Sequence, residues 1–139
     1  MRIRTLSVNT VMFVGISIVL AAPAQANYFE GKYDVASSDH TVSTWWVTPC
    51  GSGCVHIASS TGFINQDAHL QNGKWVWNSR NPRGIKCADG TALPANESYS
   101  LDAITLNGTI HGVSVGPACG LPSVEADQTI SLLQIAATP

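Results

Sequence analysis

The stretch Gln71 to Ser79, QNGKWVWNS, carries two signals that together decide the fold. Asn72-Gly73 suits a two-residue type I′ turn, which needs φ > 0 at both central positions. Lys74-Trp75-Val76-Trp77 then follows in the period-2 order of a strand, which projects Trp75 and Trp77 from the same face. The stretch therefore predicts a hairpin joining Asp67–Gln71 to Lys74–Ser79, with two large aromatics ready to anchor a core.

Outward from this hairpin the pattern repeats. Short runs rich in Val, Ile, Thr, Trp and Tyr alternate with turn clusters, and no run of ten or more residues has the i, i+3, i+4 apolar spacing of an amphipathic helix. Further strands are expected over 28–36, 41–48, 54–59, 84–87, 98–106, 109–115 and 128–136. Asn107-Gly108 predicts a second two-residue hairpin turn. Breaks are expected at Ser37-Ser38-Asp39, Ser79-Arg80-Asn81-Pro82, Asp89-Gly90, Leu93-Pro94 and 116–122. The fold class is all-β: a single antiparallel meander domain, closed as a small barrel or folded as a two-sheet sandwich. Trp45 and Trp46 are adjacent, so they point to opposite faces, and one of them is expected to be partly exposed.

The N-terminus has a different composition. Arg2 and Arg4 precede an apolar run from Val11 to Ala22, and Ala24-Gln25-Ala26 has the small-x-small form of a signal-peptidase site. The run is 12 residues long, against about 20 for a membrane-spanning helix. Residues 1–26 are thus read as a signal peptide and residues 27–139 as the domain, secreted or held in the cell envelope with no membrane span after cleavage. Removing Arg2 and Arg4 from the seven basic residues leaves five against nine acidic ones, a formal charge of −4. That balance argues against nucleic acid and anionic membrane surfaces as partners.

All four cysteines, Cys50, Cys54, Cys87 and Cys119, fall in the exported part, where an even count reads as a disulfide framework. Cys50-Gly51-Ser52-Gly53-Cys54 lacks the helix N-terminus that activates a thioredoxin-type pair. The spacings of 4, 33 and 32 do not form the paired knuckles of structural zinc. A copper site on Cys50, Cys54 and His56 would leave Cys87 and Cys119 unexplained. Gly51 and Gly53 allow the short loop to fold back on itself, so Cys50–Cys54 and Cys87–Cys119 are the favoured bridges. In the chain-entropy view they contribute about 2 and about 3.7 kcal/mol. No cofactor and no metal is expected.

Other motifs carry no chemistry. Gly112-Val113-Ser114-Val115-Gly116 matches the nucleophile elbow, but Pro117 follows where a helix is required and no histidine lies beyond His111. His40, His56, His69 and His111 are scattered over separate segments, and Asp34, Asp67, Asp89 and Asp102 occupy turn or strand-edge contexts. No catalytic constellation emerges, so the domain is read as not an enzyme.

Several segments together resemble a group of small exported proteins of mycobacteria and related actinobacteria: Trp46–Cys54, Gly73-Lys74-Trp75, Cys87-Ala88-Asp89-Gly90, Tyr99-Ser100-Leu101-Asp102 with Thr105–Gly108, and Ala118–Pro122. The resemblance spans most of the exported chain. It implies a disulfide-bonded β domain of the envelope or the medium, and it supplies no catalytic residues.

The reading that remains is a non-enzymatic binding or interaction domain. A barrel would favour a small apolar ligand and a sandwich a protein partner, and a cavity lined by Trp75 or Trp77 would decide between them. The exposed member of the pair Trp45 and Trp46, next to the Cys50–Cys54 loop, is the candidate contact surface. The alternative is an inhibitor or virulence-type factor acting on another protein through that loop, ahead of a hydrolase with an unrecognised site.

Overall fold

The structure is a computed structural model that describes residues 29–137. The expected signal peptide and the expected cleavage after Ala26 lie outside the described residues. Among the described residues eight strands follow one another: β1 (Gly31–Ser37), β2 (Val42–Gly51), β3 (Cys54–Ser59), β4 (Asn65–Gln71), β5 (Lys74–Lys86), β6 (Ala92–Asp102), β7 (Asn107–Ser114) and β8 (Glu125–Ala136). Each pairs antiparallel with the next, and β8 returns to pair with β1 from Lys32↔Ala136 to Ser37↔Ile130. The meander is a closed barrel, not a sandwich.

Alternation decides which side chains fill it. Tyr33 and Val35, Trp45 and Val47, Val55 and Ile57, Trp75 and Trp77, and Tyr99 and Leu101 are inward pairs two residues apart on five strands, and all are buried. Lys32 and Asp34, Lys74, and Glu125 and Asp127 take the intervening outward positions. The barrel is thus apolar inside and polar outside, the reverse of the order in barrels whose strands face lipid. Among the described residues no helix is long and apolar enough to cross a membrane. Trp45 and Trp77 meet edge to face at 5.6 Å, and Trp77 stacks on Tyr99 at 4.7 Å.

In a meander the connections alternate between the two ends of the barrel. One end carries 52–53, 72–73 and 103–106, and Phe29 closes it by packing on Tyr33 and Trp75, with ring centroids 5.1 and 6.0 Å away. The other end carries the connections at 38–41, 60–64, 87–91 and 115–124 and is open. The disulfides are Cys50–Cys54, Cα atoms 5.1 Å apart at the closed end, and Cys87–Cys119, 5.4 Å apart at the open end. A second small core of Ile85, Ala95 and Ala118, with Leu93, Val124 and Ala126 against it, lies with the long bridge.

The Asn72-Gly73 turn forms as expected, with φ of 50° and 75°. Asn107-Gly108 does not form a turn. These residues open β7, and the connection is the 103–106 loop, tied by Asp102, whose carboxylate accepts from the Ile104 and Thr105 amides. Gly108 answers a different need: a Cβ there would collide with the Ser100 carbonyl oxygen and stand 2.9 Å from Leu101 Cα. The break expected at 79–82 is also absent. β5 runs on to Lys86, absorbing Pro82 in a bulge between Asn81 and Ile85, so the expected strand 84–87 is its second half. Pro94 lies opposite that bulge in β6, where no ladder amide is required. β6 consequently starts at Ala92 and ends at Asp102, well before the expected 98–106.

Trp75 and Trp77 are 3% and 5% exposed, Trp45 is 2% exposed and Trp46 is 45% exposed. Replacing Trp75 or Trp77 with alanine should lower unfolding stability by about 3–5 kcal/mol, while Trp46→Ala should lower it by less than about 1, as read from urea unfolding. Neither buried indole N–H has a hydrogen-bond partner. Trp75→Phe should therefore fall well short of the loss at Trp75→Ala, because it removes an unsatisfied donor along with apolar area.

Candidate ligand-binding site

Among the described residues three polar side chains are buried: Ser59, Ser79 and Glu97. Two of them are consumed in building the open end. Ser59 Oγ accepts from the Ile64 amide at 3.1 Å, and Ser79 Oγ donates to the Phe63 carbonyl at 2.7 Å, so both pin the 60–64 loop onto the barrel. Glu97 is 5% exposed and faces inward between Ala95 and Tyr99. Its Oε1 accepts from Asn81 Nδ2 at 3.0 Å and its Oε2 from the Tyr99 hydroxyl at 2.5 Å. The Asn81 amide is itself oriented, because its oxygen accepts from the Arg83 amide at 2.9 Å. Burial, then the hydrogen bond to Glu97 and the negative charge of Glu97, push the Tyr99 phenol above its ordinary range.

Around this carboxylate the open end holds a cavity of about 390 Å³, within the range of small-molecule sites. Val35, Trp45, Ile64, Ile110 and Ile130 make its apolar wall, with Glu97 and Tyr99 among them. Asp39, Lys86, Arg83 and Gln128 are at its rim. Gly84 belongs to the wall for a steric reason: a Cβ there would lie 2.6 Å from Ala95 Cβ and 2.9 Å from Glu97 Oε1, so only glycine lets the β5 bulge close against the carboxylate.

The rim is tied across the barrel. Asp39, in the β1–β2 turn, accepts from the Ser37 and Thr41 hydroxyls and from the Thr41 amide. It also receives Lys86 Nζ of β5 at 3.3 Å and Gln128 Nε2 of β8 at 3.4 Å. Partial burial acts to raise the Asp39 pKa, but the Ser37, Thr41 and Lys86 donors outweigh it and hold the carboxyl well below the usual range.

The sequence-derived candidates are distributed as follows. Trp45 lines the cavity, whereas Trp46 stands on the outer face of β2 with Lys32 Nζ 5.8 Å from its ring. Trp45 therefore cannot serve as an outer contact surface, and Trp46 can. Trp75 and Trp77, the tryptophans that would have marked a ligand cavity, are packed in the core, and the cavity is lined by Trp45 and Tyr99 instead. Cys50, Cys54 and Asp67 bring three ligand-type atoms within 4.8 Å of one another, but the two sulfurs are bonded to each other and offer no thiolate. His56 bonds Asp67 and Asn65, at 2.7 Å each, and His111 bonds Asp127 at 2.6 Å, on the outer face. The hydrogen bonds to Asp67 and Asp127 raise the pKa values of His56 and His111. Ser114 is structural, its Oγ bridging the Gly116 carbonyl and the Val124 amide.

Glu97 is the residue that sequence reasoning missed. Its signal was present, since it shares the inward parity of Ala95, Tyr99 and Leu101, but starting the strand at Ser98 hid it. Compared with protein families, with characterised proteins and with solved structures, the chain matches none of them.

Asp39 has a depressed folded pKa, so it stabilises the fold above its unfolded value of about 3.9, and that contribution is lost as pH falls below it. Asp39→Asn should cost about 1.5 kcal/mol at pH 7, the scale of hydrogen bonds to a charged group, and close to nothing in strong acid. Urea midpoints at neutral and acid pH should show the variant with the shallower acid-side decline; parallel profiles would contradict it.

Proposed function

We propose that the domain is a non-enzymatic binding protein that takes a small, largely apolar ligand into the open end of the barrel. The observation that carries the reading is a cavity of about 390 Å³ with a mainly apolar wall and a buried carboxylate, Glu97, inside it. Few convergent polar groups in an apolar recess fix orientation while burial supplies affinity. The walls are preformed: the long disulfide, the Asp39 ties and the two serines that hold the 60–64 loop all order the open end before anything enters it, which lowers the entropic cost of binding. Two disulfides in a small β domain fit an oxidising compartment. The signal-like N-terminus and the resemblance to small exported mycobacterial proteins extend that to secretion or the cell envelope.

A second reading, the inhibitor or virulence-type factor acting on another protein, is favoured by one observation. Trp46 is exposed on the outer face beside the bridged Cys50–Cys54 hairpin, and the register sets it opposite Lys32, whose other neighbour strand exposes Leu133 and Ile135.

The neutral fluorophore N-phenyl-1-naphthylamine separates the two. It should bind saturably and quench tryptophan emission by energy transfer. Ser43→Trp, which places a bulky ring at the cavity mouth, should weaken it at least about tenfold, and Trp46→Ala should leave it unchanged. Loss of binding in Trp46→Ala with retention in Ser43→Trp would move the site to the outer surface.

A further inference from the structure

Glu97 is electrostatically incomplete. Each carboxylate oxygen accepts one hydrogen bond from a neutral donor, although an ionised carboxylate offers about four acceptor positions. Among the described residues no lysine, arginine or histidine nitrogen lies within 4.0 Å of it. A buried carboxylate with no counter-charge leaves a place for a cationic partner, and the side that remains open to one is the cavity. The nearby rim cations are otherwise engaged: Lys86 is drawn to Asp39, and Arg83 is exposed to solvent. Beside the carboxylate stand two aromatic rings of the cavity lining, Trp45 and Tyr99, with centroids 6.2 Å apart and planes at 68°. Trp77 stacks on one face of Tyr99, and aromatic rings lining the same cavity as an anion add to its attraction for a cation.

We propose that the ligand of the open end is an organic ammonium ion with an apolar tail. Its N–H groups donate to the free lone pairs of Glu97, its charge lies against Trp45 and Tyr99, and its tail covers Val35, Ile110 and Ile130. The proposal rests on the reading of the open end as a ligand site and names the chemistry that site selects.

Three ligands with the same tail and different heads test it: octylamine hydrochloride, octanol and sodium octanoate, each titrated calorimetrically into the full exported chain at pH 7. The amine should bind at least about tenfold more tightly than the alcohol, and the carboxylate more weakly than both. Glu97→Gln, similar in shape and uncharged, should abolish the preference for the amine while leaving octanol's affinity within about twofold. Equal affinity for amine and alcohol would overturn the proposal, as would octanoate binding tightest, which would assign the site to Arg83 and Lys86. Failure of all three ligands to bind would instead overturn the reading of the cavity as a binding site. If Glu97→Gln does not fold, the ranking of the three ligands on the natural sequence decides the question alone.

Discussion

The pairing of β8 with β1 is the constraint on which the rest depends. Without it the chain would be an open meander with two raw edges and an apolar face that 109 described residues could not cover. Closure sends inward residues of all eight strands into one main core, apart from the small core of Ile85, Ala95 and Ala118 at the open end. The aromatics then have to be accommodated together: Trp45, Trp77 and Tyr99 settle into edge-to-face and stacked contacts, and Phe29, just before β1, closes one end. Two indole N–H groups are left without partners in that interior, a local penalty that the apolar burial of the two rings exceeds.

Because the interior is filled from the closed end, whatever space remains lies at the other. There β5 and β6 outrun the barrel, the bulge between Asn81 and Ile85 bends β5, and the Cys87–Cys119 bridge fastens this extension to the β7–β8 connection. Asp39 ties the β1–β2 turn to β5 and β8. The open end therefore has its own small core and its own crosslink, around a buried carboxylate, Glu97, with no lysine, arginine or histidine nitrogen within 4.0 Å among the described residues. Polar burial of that kind, in a cavity and ringed by supporting contacts, is where sequence rules for a well-packed interior are expected to give way to function.

Local signals were legible in the sequence where one short stretch contained its own explanation. Asn72-Gly73 reads as a turn because its two neighbouring strands pair only in that register, and the parity of Trp75 and Trp77 needs nothing beyond the strand itself. The cysteine pairing was also legible, since Gly51 and Gly53 let the short loop close and left the long bridge to the remaining two. The failures share a cause. Pro82 and Pro94 look like breaks, yet each lies at or opposite a bulge where the missing N–H is harmless, a fact about the partner strand. Gly108 looks like a turn glycine, yet it is small because β6 passes close to it. Misplacing the start of β6 then concealed Glu97, whose meaning depends on being inward. The choice between barrel and sandwich was open for the same reason: closure is a contact between the two ends of the domain, and neither end announces the other.

Amide chemical-shift mapping of the isotopically labelled domain with N-phenyl-1-naphthylamine at saturation tests the central claim most directly. A site in the open end predicts that the largest changes fall at Val35, Ser43, Gly84, Glu97 and Ile130, positions distant in sequence that meet only at that end of the barrel, with Gly51 and Ser52 unmoved. Changes centred on Trp46, Gly51 and Ser52, with Gly84 and Glu97 silent, would contradict it and place binding on the outer surface by the short disulfide.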